Sequence, residues 1–189
     1  GTAVYSEAMY IEQELGYNVM IDFMLRKRKG IQNKLPIVGP ENENYWAFGD
    51  SYNKGAWALH TLRHVINNDT LWWETLKSFT QQHAKSNVNT QEFISHVEDK
   101  TKLNLDYFFE QYFFDKRIPT LEYFQEGDKL HYRWTGTVSG FTMPINVEIN
   151  GLEKRLFPKT EKQIESIDQY SVVHFKDWQF LFNKKIIQM

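Results

Sequence analysis

Gly49-Asp50-Ser51-Tyr52-Asn53-Lys54-Gly55-Ala56-Trp57-Ala58-Leu59-His60-Thr61-Leu62-Arg63-His64 reads as a loop handing over to a helix. Asp50 and Ser51 carry side-chain oxygens suited to the unpaired amides of a first turn. From Ala56 onward, Ala58, Leu59, Leu62, Val65 and Ile66 recur at helical spacing, which predicts a helix with one inward stripe. Tyr52 then stands at or just before the start of a buried helix, where a phenol is aimed with little freedom. Gly55 leaves room for a close neighbour. A tyrosine in such a place is most often a packing residue with one hydrogen bond, so the flanking sequence decides its role.

Upstream, residues 3 to 29 carry one long helical pattern, with Val4, Met9, Ile11, Leu15, Val19, Met20, Phe23 and Met24 on its apolar face and Gly16 as a break. Gly30 is the expected stop, after the basic run Arg26-Lys27-Arg28-Lys29. That run reads as a solvated helix C-terminus favoured by the helix dipole, not as a binding patch. The stretch from Ile31 to Asp50, with Pro36, Gly39, Pro40 and two acidic-Asn pairs, has loop chemistry. Its length suits one wall of a substrate cleft.

Downstream, Leu71-Trp72-Trp73 opens a short amphipathic helix running to His83. Asn89-Thr90-Gln91-Glu92 is a capping-box pattern opening a helix from Phe93 to Lys100. The aromatic density of Tyr107 to Phe114 predicts a further helix, buried between neighbours. The period then changes to two. Leu121 and Tyr123, then Leu130, Tyr132 and Trp134 after the Glu126-Gly127-Asp128 turn, predict a β-hairpin. Ile145, Val147 and Ile149 alternate up to Asn150-Gly151, a strong hairpin turn, and Val172–Phe175 and Gln179–Phe182 are expected as further strands. Pro119 disfavours helix just before it. The sequence therefore predicts an α+β chain: an all-α part over 1–118 and a small antiparallel β-sandwich over 119–189.

Composition removes several classes. With 22 Lys and Arg against 24 Asp and Glu, the net charge is −2 and both signs are interspersed, which argues against a nucleic-acid partner. The absence of cysteine excludes disulfides and thiolate metal sites and leaves the compartment open. No apolar run is long enough for a membrane span. Phosphate-binding, dinucleotide and Gly-x-Ser-x-Gly motifs are absent.

Tyr52-Asn53-Lys54-Gly55 followed by an amphipathic helix resembles a segment of the gluzincin zinc aminopeptidases, the family of aminopeptidase N and leukotriene hydrolase. Three further stretches match in order. Gly1-Thr2-Ala3-Val4-Tyr5-Ser6-Glu7-Ala8-Met9-Tyr10 is similar to the start of the helix following the family's Asn-Glu-Gly. Leu105-Asp106-Tyr107-Phe108-Phe109-Glu110-Gln111-Tyr112 resembles its Asp-aromatic-Phe-Phe-x-Gln-aromatic element. Arg117-Ile118-Pro119-Thr120-Leu121-Glu122 resembles its crossover into a β-sandwich, a feature that fits the aminopeptidase N type better than the related glycyl aminopeptidases.

The resemblance implies the C-terminal part of a thermolysin-like catalytic domain followed by a β-sandwich, in an enzyme that hydrolyses N-terminal peptide bonds with zinc. Tyr52 would be catalytic, hydrogen-bonding the oxyanion of the tetrahedral intermediate. Glu7 has two readings of equal weight: a carboxylate that orients a zinc-binding histidine, or an ordinary first-turn glutamate favoured by the helix dipole. The family's zinc motif, His-Glu-x-x-His, does not occur here, and its third ligand would fall immediately before Gly1. The chain is therefore expected to be an excised piece that contributes the tyrosine but not the zinc ligands, holds no cofactor itself, and is inactive alone. Its implied partners are peptide substrates and the upstream catalytic helices and N-terminal domain of the same polypeptide.

His60 and His64 lie four apart on a helix, the spacing of zinc ligands. The residues between them, Thr61, Leu62 and Arg63, supply no carboxylate base, and Arg63 would repel a dication. The pair reads as ordinary polar histidines, either exposed or packed against another element. A different class of function stays open, a non-catalytic helical and β-sandwich module for protein interaction.

Overall fold

At Gly16 the long N-terminal helical pattern divides into α1 (Thr2–Leu15) and α2 (Tyr17–Arg28) in the computed structural model, which describes residues 1–41, 43 and 45–187. Gly16 adopts φ +91°, open to glycine because it has no β-carbon, so the axis turns there. Asn42 and Asn44 of the two acidic-Asn pairs lie outside the described residues. The remaining helices are α3 (Asn53–Ile66), α4 (Asp69–Gln82), α5 (Thr90–Thr101) and α6 (Asp106–Phe109), the last continuing as a wider π turn over Glu110–Phe114. The capping box forms in both directions: the Glu92 amide donates to Asn89 Oδ1 (2.9 Å), and the Asn89 amide to Glu92 Oε2 (2.8 Å).

α3 is the central element. Every residue on it except Asn53 and His64 is buried, so it carries more than the single inward stripe its sequence predicts. The reason is packing on all sides, with α1, α2 and α4 around it and the β-half against its remaining face. The indole Nε1 of its Trp57 donates to Met24 O of α2 at 2.7 Å, satisfying the one polar atom of a fully buried ring.

Among the described residues seven strands follow: β1 (Thr120–Glu126), β2 (Lys129–Thr135), β3 (Ile145–Ile149), β4 (Leu152–Leu156), β5 (Gln163–Ser166), β6 (Val173–Phe175) and β7 (Asn183–Ile186). They form two sheets, ordered β5-β2-β1-β7 and β4-β3-β6. Leu121, Leu130 and Trp134 of the first and Ile145, Val147 and Phe175 of the second share one core with the helices. Asn150 and Gly151 take φ +53° and +81°, the paired positive values that let a two-residue turn follow the twist of β3 and β4. The α+β architecture, helices first and a small sandwich after, is the one the sequence predicts.

Four details differ. β7 pairs parallel with β1 (Thr120 opposite Asn183, Tyr123 opposite Ile186), so the first sheet is mixed and not wholly antiparallel. β5 has no clear alternating pattern and escaped the sequence reading. Gln179–Phe182, expected as a strand, is a turn and an extended segment, because the helices take its backbone groups. Thr61 Oγ1 accepts from the Leu181 amide (2.9 Å), and the Tyr112 hydroxyl donates to Leu181 O (2.6 Å). Arg28 donates to Asp177 O (3.0 Å) and to Phe182 O. Arg28 is thus a clamp onto the sandwich, and the basic run is not wholly solvated. Arg155 reaches the other way, donating to His64 O (3.0 Å) and Val65 O (2.8 Å) at the C-terminal end of α3.

Candidate functional site

Tyr52 joins two helical segments. A 3-10 turn spans Phe48–Ser51, and the Tyr52 carbonyl accepts the first bond of α3, from the Ala56 amide at 3.0 Å. Tyr52 is 46% exposed, and its ring meets that of Trp46, itself exposed, edge-on with centroids 5.8 Å apart. Phe48 holds φ +52°, a backbone region that bulky side chains rarely adopt. A strained turn thus presents an exposed phenol.

The residues two before and two after Tyr52 are buried and charged. Asp50 does not cap α3, as its sequence position suggests. Its carboxylate instead accepts the amides of Gln32 (2.8 Å) and Asn33 (2.6 Å), tying the Tyr52 turn to the loop after α2. Lys54 is fully buried and donates from Nζ to Asp115 O (2.8 Å) and Lys116 O (2.9 Å), where the π turn ends. Burial pushes the Lys54 ammonium down to about 8, with Asp50 and Asp115 partly opposing the shift. Sequence reasoning left Lys54 without a role of its own. The available signal was its place in the apolar series Lys54, Ala58, Leu62, Val65, which puts an ammonium on the inward face.

The start of α1 lies against this turn. Gly1 N donates to Ser51 O, and Gly1 and Gly55 meet backbone to backbone. An apolar groove of about 380 Å³ opens beside them, lined by Tyr5, Ser51, Gly55, Phe79, Phe93 and Phe113 among others. Its lining includes Ser51 and Gly55 but not Tyr52. Glu7 is exposed on α1, away from the buried Val4, Tyr5 and Ala8, and about 9 Å along the helix axis from Gly1 at 1.5 Å per residue.

His60 and His64 face the sandwich, their rings 4.8 Å apart. His60 Nε2 meets Trp178 O at 3.1 Å, and His64 Nε2 meets the Tyr17 hydroxyl at 3.4 Å. Burial drives His60 down to about 4. His64 falls to about 2, through burial first and then the positive charges of His60, Arg63, Arg155 and Lys176. Arg63 turns from the pair and grips Glu12 and Asp69. Among the described residues, no group of three or more His, Asp or Glu side chains is placed to hold a metal ion. A zinc ion of the kind the resemblance implies does not fit these residues.

No family model matches the sequence, and no curated protein matches it. Among solved structures, the whole chain matches part of the crystal structure of Legionella pneumophila aminopeptidase A in complex with aspartic acid, with a TM-score of 0.69 and 17% identity. The likeness is one of fold. This chain spans 24% of the length of that protein.

Proposed function

We propose that this chain is a portion of a zinc-dependent aminopeptidase, in which Tyr52 donates its phenolic hydrogen to the oxyanion formed as an N-terminal peptide bond is hydrolysed. The zinc ligands would come from outside this chain, which alone would be inactive. The carrying observation is the contrast at the turn: Tyr52 is 46% exposed, while Asp50 and Lys54 on either side are 1% and 0% exposed. A packing tyrosine would be buried with its neighbours. An aimed donor needs a free hydroxyl on a fixed backbone. The order of the sequence resemblances and the shared fold with an aminopeptidase support the reading.

Within it, residues 1–118 complete the catalytic domain, 119–189 form the sandwich domain, and peptides are the substrates. The start of α1 abuts the Tyr52 turn, so a ligand carried just before that helix would lie near the phenol. Glu7 would orient a zinc-binding histidine from α1, and Glu7→Gln in the full-length polypeptide should then weaken zinc retention during dialysis against a chelator.

Tyr52→Phe in the full-length polypeptide tests the central claim, since it removes only the hydroxyl. Loss of one oxyanion donor should lower kcat roughly 100-fold or more with KM little changed. Near-normal kcat in a folded variant would remove Tyr52 from the mechanism.

A further inference from the structure

Asp50 and Lys54 are opposite charges four residues apart, both buried, and each is satisfied by main-chain groups remote in sequence. Buried charge is a poor route to stability, because leaving water costs several kcal/mol per ion and apolar replacements of similar volume are often neutral or better. What two such charges supply is direction. Asp50 fixes the turn to the amides of Gln32 and Asn33, and Lys54 fixes it to the carbonyls of Asp115 and Lys116. The anchors come from opposite sides of the sequence, one between α2 and α3 and one at the entry to the sandwich. The exposed Tyr52 lies between Asp50 and Lys54, and the left-handed backbone of Phe48 lies two residues before Asp50. A strained residue persists only where its surroundings over-determine it, and the Asp50 carboxylate supplies that restraint two residues on.

We propose that Asp50 and Lys54 are positioning residues, which hold the Tyr52 hydroxyl in the direction required by the developing oxyanion. This rests on the reading of Tyr52 given above. They touch neither substrate nor reacting atoms. Their effect passes through the backbone at residues 50 to 54, and an error on the order of 1 Å in a catalytic group is enough to cost up to about 100-fold in rate.

The test is a double-mutant cycle in the full-length polypeptide, read as kcat and KM per folded molecule. Lys54→Met keeps the side-chain length and removes the donors. It should lower kcat about tenfold with KM changed less than about twofold, the split of a group acting only in the transition state. In the Tyr52→Phe background the same change should lower kcat less than about twofold, since a misaimed hydroxyl no longer matters. A purely structural role would give the same loss in both backgrounds. That result, or an unchanged kcat in Lys54→Met, overturns the proposal. Should Lys54→Met fail to fold, Asp50→Asn carries the same cycle, retaining size and one acceptor oxygen. The two claims fail separately: normal turnover in Tyr52→Phe removes the catalytic role of Tyr52 and the positioning role with it, whereas loss there with normal turnover in Lys54→Met removes only the positioning role.

Discussion

A β-carbon placed on Gly55 would fall 2.8 Å from the Cα of Gly1, so the first turn of α3 and the entry to α1 touch backbone to backbone. No flexible side chain stands between them to give way. Gly55→Ala should therefore destabilise the fold by about 1–3 kcal/mol, the usual cost of overpacking, despite alanine's better helix propensity. Chemical denaturation of the two proteins measures this, and an unchanged or raised midpoint would refute the close contact.

Arg63 organises the polar junction of α1, α3 and α4. Its guanidinium takes both Glu12 oxygens (2.6 and 2.9 Å) and both Asp69 oxygens (2.8 and 2.7 Å), and lies 4.7 Å from the Trp73 ring centroid. Its side chain is 5% exposed, with Glu12 at 21% and Asp69 at 59%. Arg63→Met should cost about 3 kcal/mol, mainly by leaving Glu12 uncompensated. Asp69→Asn should cost less than about 1 kcal/mol, since water already solvates that carboxylate. Equal losses from the two variants would contradict this account.

Acid should loosen the contact between the helices and the sandwich. In the unfolded chain His60 and His64 take up protons near 6.5, whereas in the folded protein His60 does so only near 4 and His64 lower still. Below pH 6.5 the unfolded state therefore binds more protons, and stability falls as pH falls. The stability is present in full above about pH 6.5; below it the loss approaches about 1.4 kcal/mol per pH unit for each histidine, and the His60 share levels off near pH 4. Urea midpoints between pH 7.5 and 5 report the loss, and His60→Phe should flatten the curve. Parallel curves for the two proteins would clear His60 of the effect.

The helical and β parts should not separate cleanly. Thr61, Arg28 and Tyr112 on the helical side satisfy backbone groups of residues 177–182, and Phe180, Leu181 and Phe182 are buried in the shared core. Expressed alone, residues 119–189 would expose that segment and its unpaired groups. The expected result is a non-cooperative thermal melt and weak near-ultraviolet circular dichroism. A sharp transition from the isolated segment would show that it folds on its own.

The sequence exposes those features that depend on near neighbours. The break at Gly16, the Asn89–Glu92 box and the Asn150-Gly151 hairpin all arise within a few residues, so their physics is visible locally. Two of the errors share a cause, a partner distant in sequence. Asp50 reads as a helix cap, yet its acceptors are taken by amides 17 and 18 residues earlier. Gln179–Phe182 is an aromatic, apolar run that reads as a strand, yet its hydrogen bonds go to α2, α3 and the π turn. At the candidate site, Tyr52 stands out by motif. Of the pins beside it, Lys54 is signalled by its place on the inward face, whereas the partners of both lie far away in sequence.

The parallel pairing of β1 with β7 sets how the sandwich would carry load. The two strands are the first and last of the β part, joined in register from Thr120 with Asn183 to Tyr123 with Ile186, and tied further by the Asn183 amide to Pro119 O and the Ile187 amide to Tyr123 O. Tension applied between residues 119 and 187 would pull these strands in opposite directions along their length. Every hydrogen bond between them would then be sheared at once, not peeled open one after another. Load along that line meets the whole β1–β7 ladder together, so the pairing acts as a clasp and not as a zipper.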